Sequence, residues 1–134
     1  LLSCWPIYGG GSMDCTFDSS DLLDQLESAS FEEIDEMPFG LIVMDRQGVV
    51  VWYNRRESAQ TGIAREKVLG RNFFESVGPC TNNYLVSQRF MDEPDLDDII
   101  DFVFTLRMDP TPVRLRMMAR DGSERQYLAV LKYP

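Results

Sequence analysis

The chain has 134 residues, 44% hydrophobic and 26% charged, which is enough for one domain with its own core and too few for two ordinary ones. Thirteen Lys and Arg against 22 Asp and Glu give a net charge of -9 and a pI near 4.4, the wrong sign for gripping a phosphate backbone or an anionic membrane. There is no histidine, which removes imidazole metal ligands, axial histidine ligation of haem, and Ser-His and Cys-His nucleophile pairs.

No apolar run approaches the roughly 18 residues of a membrane-spanning helix, so neither membrane nor nucleic acid is an expected partner. The three cysteines, Cys4, Cys15 and Cys80, have no CxxC spacing, which argues against a disulfide framework or a zinc site and fits a reducing cytoplasm. Leu1 to Ser12 ends in Gly9-Gly10-Gly11-Ser12, a flexible composition, and reads as a leader before a start at Met13.

Residues 13–38 form an acidic N-terminal cap. Ten acids but a single base precede Gln47, after which the chain carries twelve of each. Asp14, Asp18, Asp21, Asp24, Glu27, Glu32, Glu33, Asp35 and Glu36 read as the solvated face of this cap. Ser19-Ser20 is expected to cap a helix whose Leu22, Leu23 and Leu26 form one apolar stripe.

Residues 39–134 form the main domain. Phe39 to Asp45 and Val49 to Asn54 read as an antiparallel hairpin across Arg46-Gln47-Gly48. Glu57 to Thr61 is helical and ends at Gly62; Arg65 to Leu69 adds one turn before Gly70. Phe73 to Thr81 is a loop, and Asn83 to Met91 a helix with Tyr84, Leu85, Gln88 and Met91 on related faces. Asp97 or Asp98 opens a short helical turn. Three strands close the chain, at about Asp101 to Met108, Val113 to Arg120 and Arg125 to Tyr133. Five antiparallel strands with helices on one face make an α+β sheet-and-helix architecture.

Phe39-Gly40, Tyr53-Asn54, Glu57, Thr61-Gly62, Val68, Gly70, Asn72-Phe73-Phe74 and Pro79-Cys80-Thr81 together resemble the photoactive yellow protein family. That resemblance extends from Met13 to Pro134 and implies a PAS-like five-stranded sheet with an N-terminal helical cap. It implies a blue-light receptor carrying 4-hydroxycinnamic acid (p-coumaric acid) as a thioester on Cys80. Tyr53 and a protonated Glu57 would hold the bound phenol as a phenolate, Thr61 would support the tyrosine, and Phe104 and Met108 would cover the pocket. Ile63 stands where the family often has an arginine, and Leu106 where an aromatic is common.

The cycle implied is isomerisation by light, proton transfer from Glu57, partial unfolding with release of the cap, and dark recovery. Independently of the family, Tyr53 at a strand end and Glu57 in the next helical turn can converge on one pocket, where burial raises a carboxylic acid's pKa. An enzyme is not expected: a cysteine hydrolase would need a base for Cys80, and the chain has no histidine. The alternative is a chromophore-free PAS module for protein interaction or small-ligand sensing, which Ile63 favours. A monomer acting on an unidentified downstream signalling protein is expected.

Overall fold

Alternation along the central strands divides the core in two. In a computed structural model that describes residues 16–105 and 110–132, β1 (Gly40–Asp45), β2 (Val50–Tyr53), β3 (Leu96–Phe104), β4 (Thr111–Ala119) and β5 (Arg125–Lys132) form one sheet. Its order is β2-β1-β5-β4-β3, and every neighbouring pair is antiparallel. Because successive strand residues point to opposite faces, Ile42, Met44, Leu115, Met117, Leu128 and Val130 face one side. There they meet Tyr53, Phe73, Phe74, Phe90 and Phe104. Leu41, Val43, Met118, Tyr127 and Ala129 face the other, against Phe17, Leu22, Leu26, Ile34, Met37 and Phe39 of the N-terminal segment. The α+β class and the five antiparallel strands with short helices agree with the sequence reading.

The cap consists of α1 (Leu22–Ser28) and α2 (Phe31–Asp35). Leu22 and Leu26 are fully buried and Leu23 is packed at the margin of the same cluster. Ser19-Ser20 does not cap α1: Asp21 occupies that position with no capping side-chain bond. Helix α2 was not resolved from the sequence, although Ser30 and Glu33 form a capping box, each side chain bonding the other's backbone N–H. The acids are less solvated than their density suggests. Asp35 pairs with Arg65 at 2.7 Å, Glu36 with Arg55 at 3.1 Å, Asp18 with Arg114 at 3.5 Å, and Asp24 with Arg120. The three more exposed of these pairs contribute about 0–1 kcal/mol each, whereas Asp35 and Arg65 are largely shielded from solvent.

Among the described residues, one arginine is buried. The Arg116 guanidinium, on β4, donates to both carboxylate oxygens of Asp97 at 2.8 and 2.9 Å and to the carbonyls of Phe17 and Ser19 at 2.9 and 2.7 Å. It thereby ties the start of the cap to the sheet.

Several elements differ from expectation. No helical turn opens at Asp97 or Asp98. Both lie in β3, which pairs with β4 from Leu96 opposite Ala119 to Phe104 opposite Thr111, and their carboxylates bond Arg116 and Arg89. The fourth helix, α4, covers Ser87–Asp92 and does not start at Asn83. Asn83 makes its own turn, accepting from the N–H groups of Leu85 and Val86 and donating to the Cys80 carbonyl. Val86 and Phe90 consequently enter the core, while Tyr84, Leu85 and Met91 are exposed. The expected loop at Phe73 to Thr81 is a π-helical turn (Phe73–Val77) followed by a 3-10 turn (Pro79–Thr81). Residues 1–15, which include the expected leader, Cys4, Cys15 and the expected start at Met13, lie outside the described residues, as do Leu106, Met108 and Tyr133.

Arg116→Ala removes four hydrogen bonds donated by the guanidinium and takes the donor from the buried Phe17 carbonyl. It is expected to cost about 2–3 kcal/mol, measured by urea denaturation, and to raise the rate of proteolytic cleavage within residues 16–30. Unchanged stability and cleavage would show that the cap is held by its leucines alone.

Candidate functional site

The site begins at the junction of β2 and helix α3 (Arg55–Thr61). Asn54 ends the strand and caps the helix, its Oδ1 accepting from the Glu57 N–H at 2.9 Å. Gly62 stops the helix in the left-handed conformation at φ 73°, which costs glycine little. Between these two signals Glu57 and Thr61 stand four residues apart, so they share a face of the helix. Tyr53 precedes the cap and points into the same half of the core.

Tyr53 is fully buried, and its hydroxyl lies 2.8 Å from Thr61 Oγ1. Thr61 Oγ1 donates to the Glu57 carbonyl at 3.0 Å and accepts from the Ile63 N–H at 3.2 Å. The tyrosine's place is fixed from behind as well, because the Arg65 Nε donates to its carbonyl at 2.8 Å. Burial first, and then the nearby Glu57 charge, hold the Tyr53 phenol well above its ordinary pKa. It is a neutral donor across the physiological range.

Glu57 is the unusual residue. It is 1% exposed, and both carboxyl oxygens are buried without a hydrogen-bond partner. Buried polar groups are almost always partnered. With nothing to compensate the lost hydration, burial pushes its pKa from 4.5 up to about 8. The group is a carboxylic acid at neutral pH, with a proton to donate.

A cavity of about 480 Å³ opens beside it, within the usual range for ligand pockets of about 300–1,000 Å³. Glu57, Thr61 and Phe104 line it, together with Val113, Val130, Gln60, Thr111 and Lys132. Three of the residues expected from the sequence thus share one cavity. Tyr53, Ile63 and Cys80 are not on its wall, but they belong to, or are packed against, the apolar cluster that contains Phe104. Cys80 is half-buried, is an unpaired thiol, and is the one cysteine among the described residues. Its turn is held by Thr81 Oγ1, which donates to the Gly78 carbonyl at 2.6 Å, and by Asn83 Nδ2, which donates to the Cys80 carbonyl at 3.0 Å. Met108 lies outside the described residues. Among the described residues no group of acids and cysteines is arranged to hold a metal ion.

Two supporting residues had no role in the sequence reading. Arg65 bonds Tyr53 and Asp35 while lying 3.9 Å from the centre of the Trp52 ring. Asn54 carries a local signal, an N-cap amide before Arg-Arg-Glu, but its longer-range bonds do not.

Residues 31–131 match the PAS fold family. The photoactive yellow protein of Halochromatium salexigens is 35% identical over 104 residues, covering 75% of this chain and 83% of that protein. The chain belongs to the photoactive yellow protein family. The corresponding protein of Rhodothalassium salexigens is 32% identical over the same coverage. The photoactive yellow protein domain of the sensor histidine kinase Ppr from Rhodospirillum centenum superimposes with a TM-score of 0.73 at 40% identity, covering 81% of this chain and 98% of that one. Membership of this family of PAS sensory domains suggests a photosensory role. No helix among the described residues is long and apolar enough to cross a membrane.

The buried acid sets the pH dependence of the ligand-free protein. Between pH 4.5 and about 8 the folded state keeps a proton on Glu57 that the unfolded state releases. Stability should therefore fall as pH rises through this window, by up to about 1.4 kcal/mol per unit. Denaturation curves at pH 5 and pH 8 measure it, and Glu57→Gln is expected to flatten the difference. An equal slope in the variant would place the titration elsewhere.

Proposed function

We propose that the chain is a blue-light photoreceptor in which Cys80 carries 4-hydroxycinnamic acid as a thioester and Tyr53 and Glu57 donate hydrogen bonds to its phenolic oxygen. The observation that carries this reading is the Glu57 carboxyl: a buried, protonated acid, both oxygens unpartnered, on the wall of a cavity. Such a donor calls for an acceptor in the pocket, and a phenolate oxygen is a strong one. When bound, the hydroxycinnamoyl group supplies light absorption and a double bond that light isomerises.

The rest is work for the chain's own residues. Cys80 supplies the sulfur from a turn held at both sides. Thr61 keeps the Tyr53 hydroxyl in place. Phe104 contributes apolar wall, and Ile63, packed against the same apolar cluster, helps keep water from the acid; Met108 is proposed to assist thermal return. Glu57 holds a proton on its carboxyl that it can release into the cavity. The carboxylate left behind would sit in an apolar site, at a cost of several kcal/mol, comparable with a domain's whole stability of about 5–15 kcal/mol.

Asn54 gives that charge a route to the cap. Its side chain bonds the Glu57 N–H and, at its other end, the carbonyl of Ile34 in α2. Loosening of the first turn of α3 thus reaches the cap through a single side chain, and release of α1 and α2 is the proposed signal. A downstream signalling protein would read the exposed face. A monomer, a non-enzymatic role and a cytoplasmic location belong to the same reading.

A second reading, a chromophore-free PAS module for a small ligand or protein partner, is favoured by one observation. The cavity runs from Glu57 to Gln60, Thr111 and Lys132, with Cys80 off its wall.

Incubation of the purified protein with activated 4-hydroxycinnamic acid should give a blue band that bleaches on illumination and returns in the dark. Cys80→Ala should abolish covalent attachment with the fold intact. Glu57→Gln should move the band to longer wavelength, because a weaker donor leaves more charge on the phenolate. Folded protein that takes up no colour would establish the second reading; an adduct that survives Cys80→Ala would assign attachment to another residue.

A further inference from the structure

We propose that Gly40 is a positioning residue for Glu57: the side chain that position 40 lacks is the space in which the Glu57 carboxyl is held against the pocket. A Cβ built on Gly40 would come 2.0 Å from Glu57 Oε1, 3.1 Å from its Cδ and 3.2 Å from its Cβ. The first contact alone could be relieved by turning the end of a flexible side chain. The contact at Glu57 Cβ cannot, because that atom is fixed by the helix backbone.

Backbone conformation does not explain the glycine. Gly40 is absent from the described positive-φ positions, and it pairs with Val130 as ordinary antiparallel strand. Glycine weakens a strand interior and often marks a place where another group approaches closely. Here that group is a carboxyl. Nor can α3 withdraw to make room: Asn54 Oδ1 accepts from both Leu41 and Glu57 N–H groups at 2.9 Å, clamping the first turn of the helix to the residue next to Gly40. Any larger residue at 40 must therefore drive the carboxyl out of its niche towards the cavity. The identity of residue 40 controls the burial of the acid at position 57, and so the proton it offers to whatever occupies the pocket.

The optical part of the test rests on the photoreceptor reading; the infrared part does not. In the chromophore-free protein, the protonated-carboxyl stretch of Glu57, identified by its loss in Glu57→Gln, is followed as a function of pH. Gly40→Ala is expected to lower the pKa of this acid by one unit or more, a tenfold loss of proton affinity, since the displaced carboxyl regains solvent. In reconstituted protein, Gly40→Ala should shift the blue band, and in a Glu57→Ala background it should shift it no further. An unmoved carboxyl titration, or an equal band shift with and without the Glu57 carboxyl, overturns the proposal. Should Gly40→Ala fold poorly, adding Glu57→Asp, one carbon shorter, is expected to restore its thermal unfolding temperature towards that of Glu57→Asp alone. Absence of that rescue also overturns it. If no colour forms in any variant, the photoreceptor reading fails and the infrared titration still decides the role of Gly40.

Discussion

The side chain of Asn54 holds the functional end of this molecule together. An amide offers two donors and one oxygen with two lone pairs, and all four are used. The oxygen accepts from Leu41 and Glu57, and the nitrogen donates to the carbonyls of Ile34 and Phe39. One buried residue thus joins the cap, the first strand and the helix that carries the acid. Tyr53 and Glu57 can be placed to a fraction of an ångström because the residue between strand and helix has no freedom left.

Next to this saturated amide stands an acid with no partner at all. The contrast separates structural from functional polarity in the same few residues. Asn54 is satisfied and rigidifies; Glu57 is held neutral at some cost in stability and kept available to the cavity. Proteins keep such unsatisfied groups where a ligand or a reaction uses them. The cap is held by a different balance. Leu22, Leu26 and Ile34 supply the apolar burial, and the arginines of the sheet, Arg116 above all, meet the acids and carbonyls of the N-terminal segment. Four of the ten acids in the first 46 residues, Asp18, Asp24, Asp35 and Glu36, pair with arginines that follow.

What could be read before any coordinates were known was local. The hairpin followed from alternation and a turn at Arg46-Gln47-Gly48, and the helix from Glu57 to Thr61 from its terminal glycine. Tyr53 and Glu57 lie within that strand-helix unit, so their approach to one pocket was an expectation from position, whereas Thr61 entered through the family resemblance. Cys80 stood out through its resemblance to a family motif, since a lone cysteine has no spacing to interpret. The errors lay where distant partners decide. Asp97 and Asp98 looked like the start of a helix because their arginines, Arg116 and Arg89, are far along the chain or on another element. Tyr84 and Leu85 were expected within a helix from Asn83, but the Asn83 side chain takes the N–H groups of Leu85 and Val86 into a turn of its own.

The sequence by itself determined the class of fold, the family, and the type of chemistry available: a thiol, a phenol and a carboxylic acid, in a chain with no histidine to compete with them. Those properties depend on residue type and short spacing. Only the tertiary structure decided that the acid is buried without a partner, that Gly40 makes room for it, and that Arg116 secures the cap. Each of those depends on the distance between segments remote in sequence, and packing sets that distance.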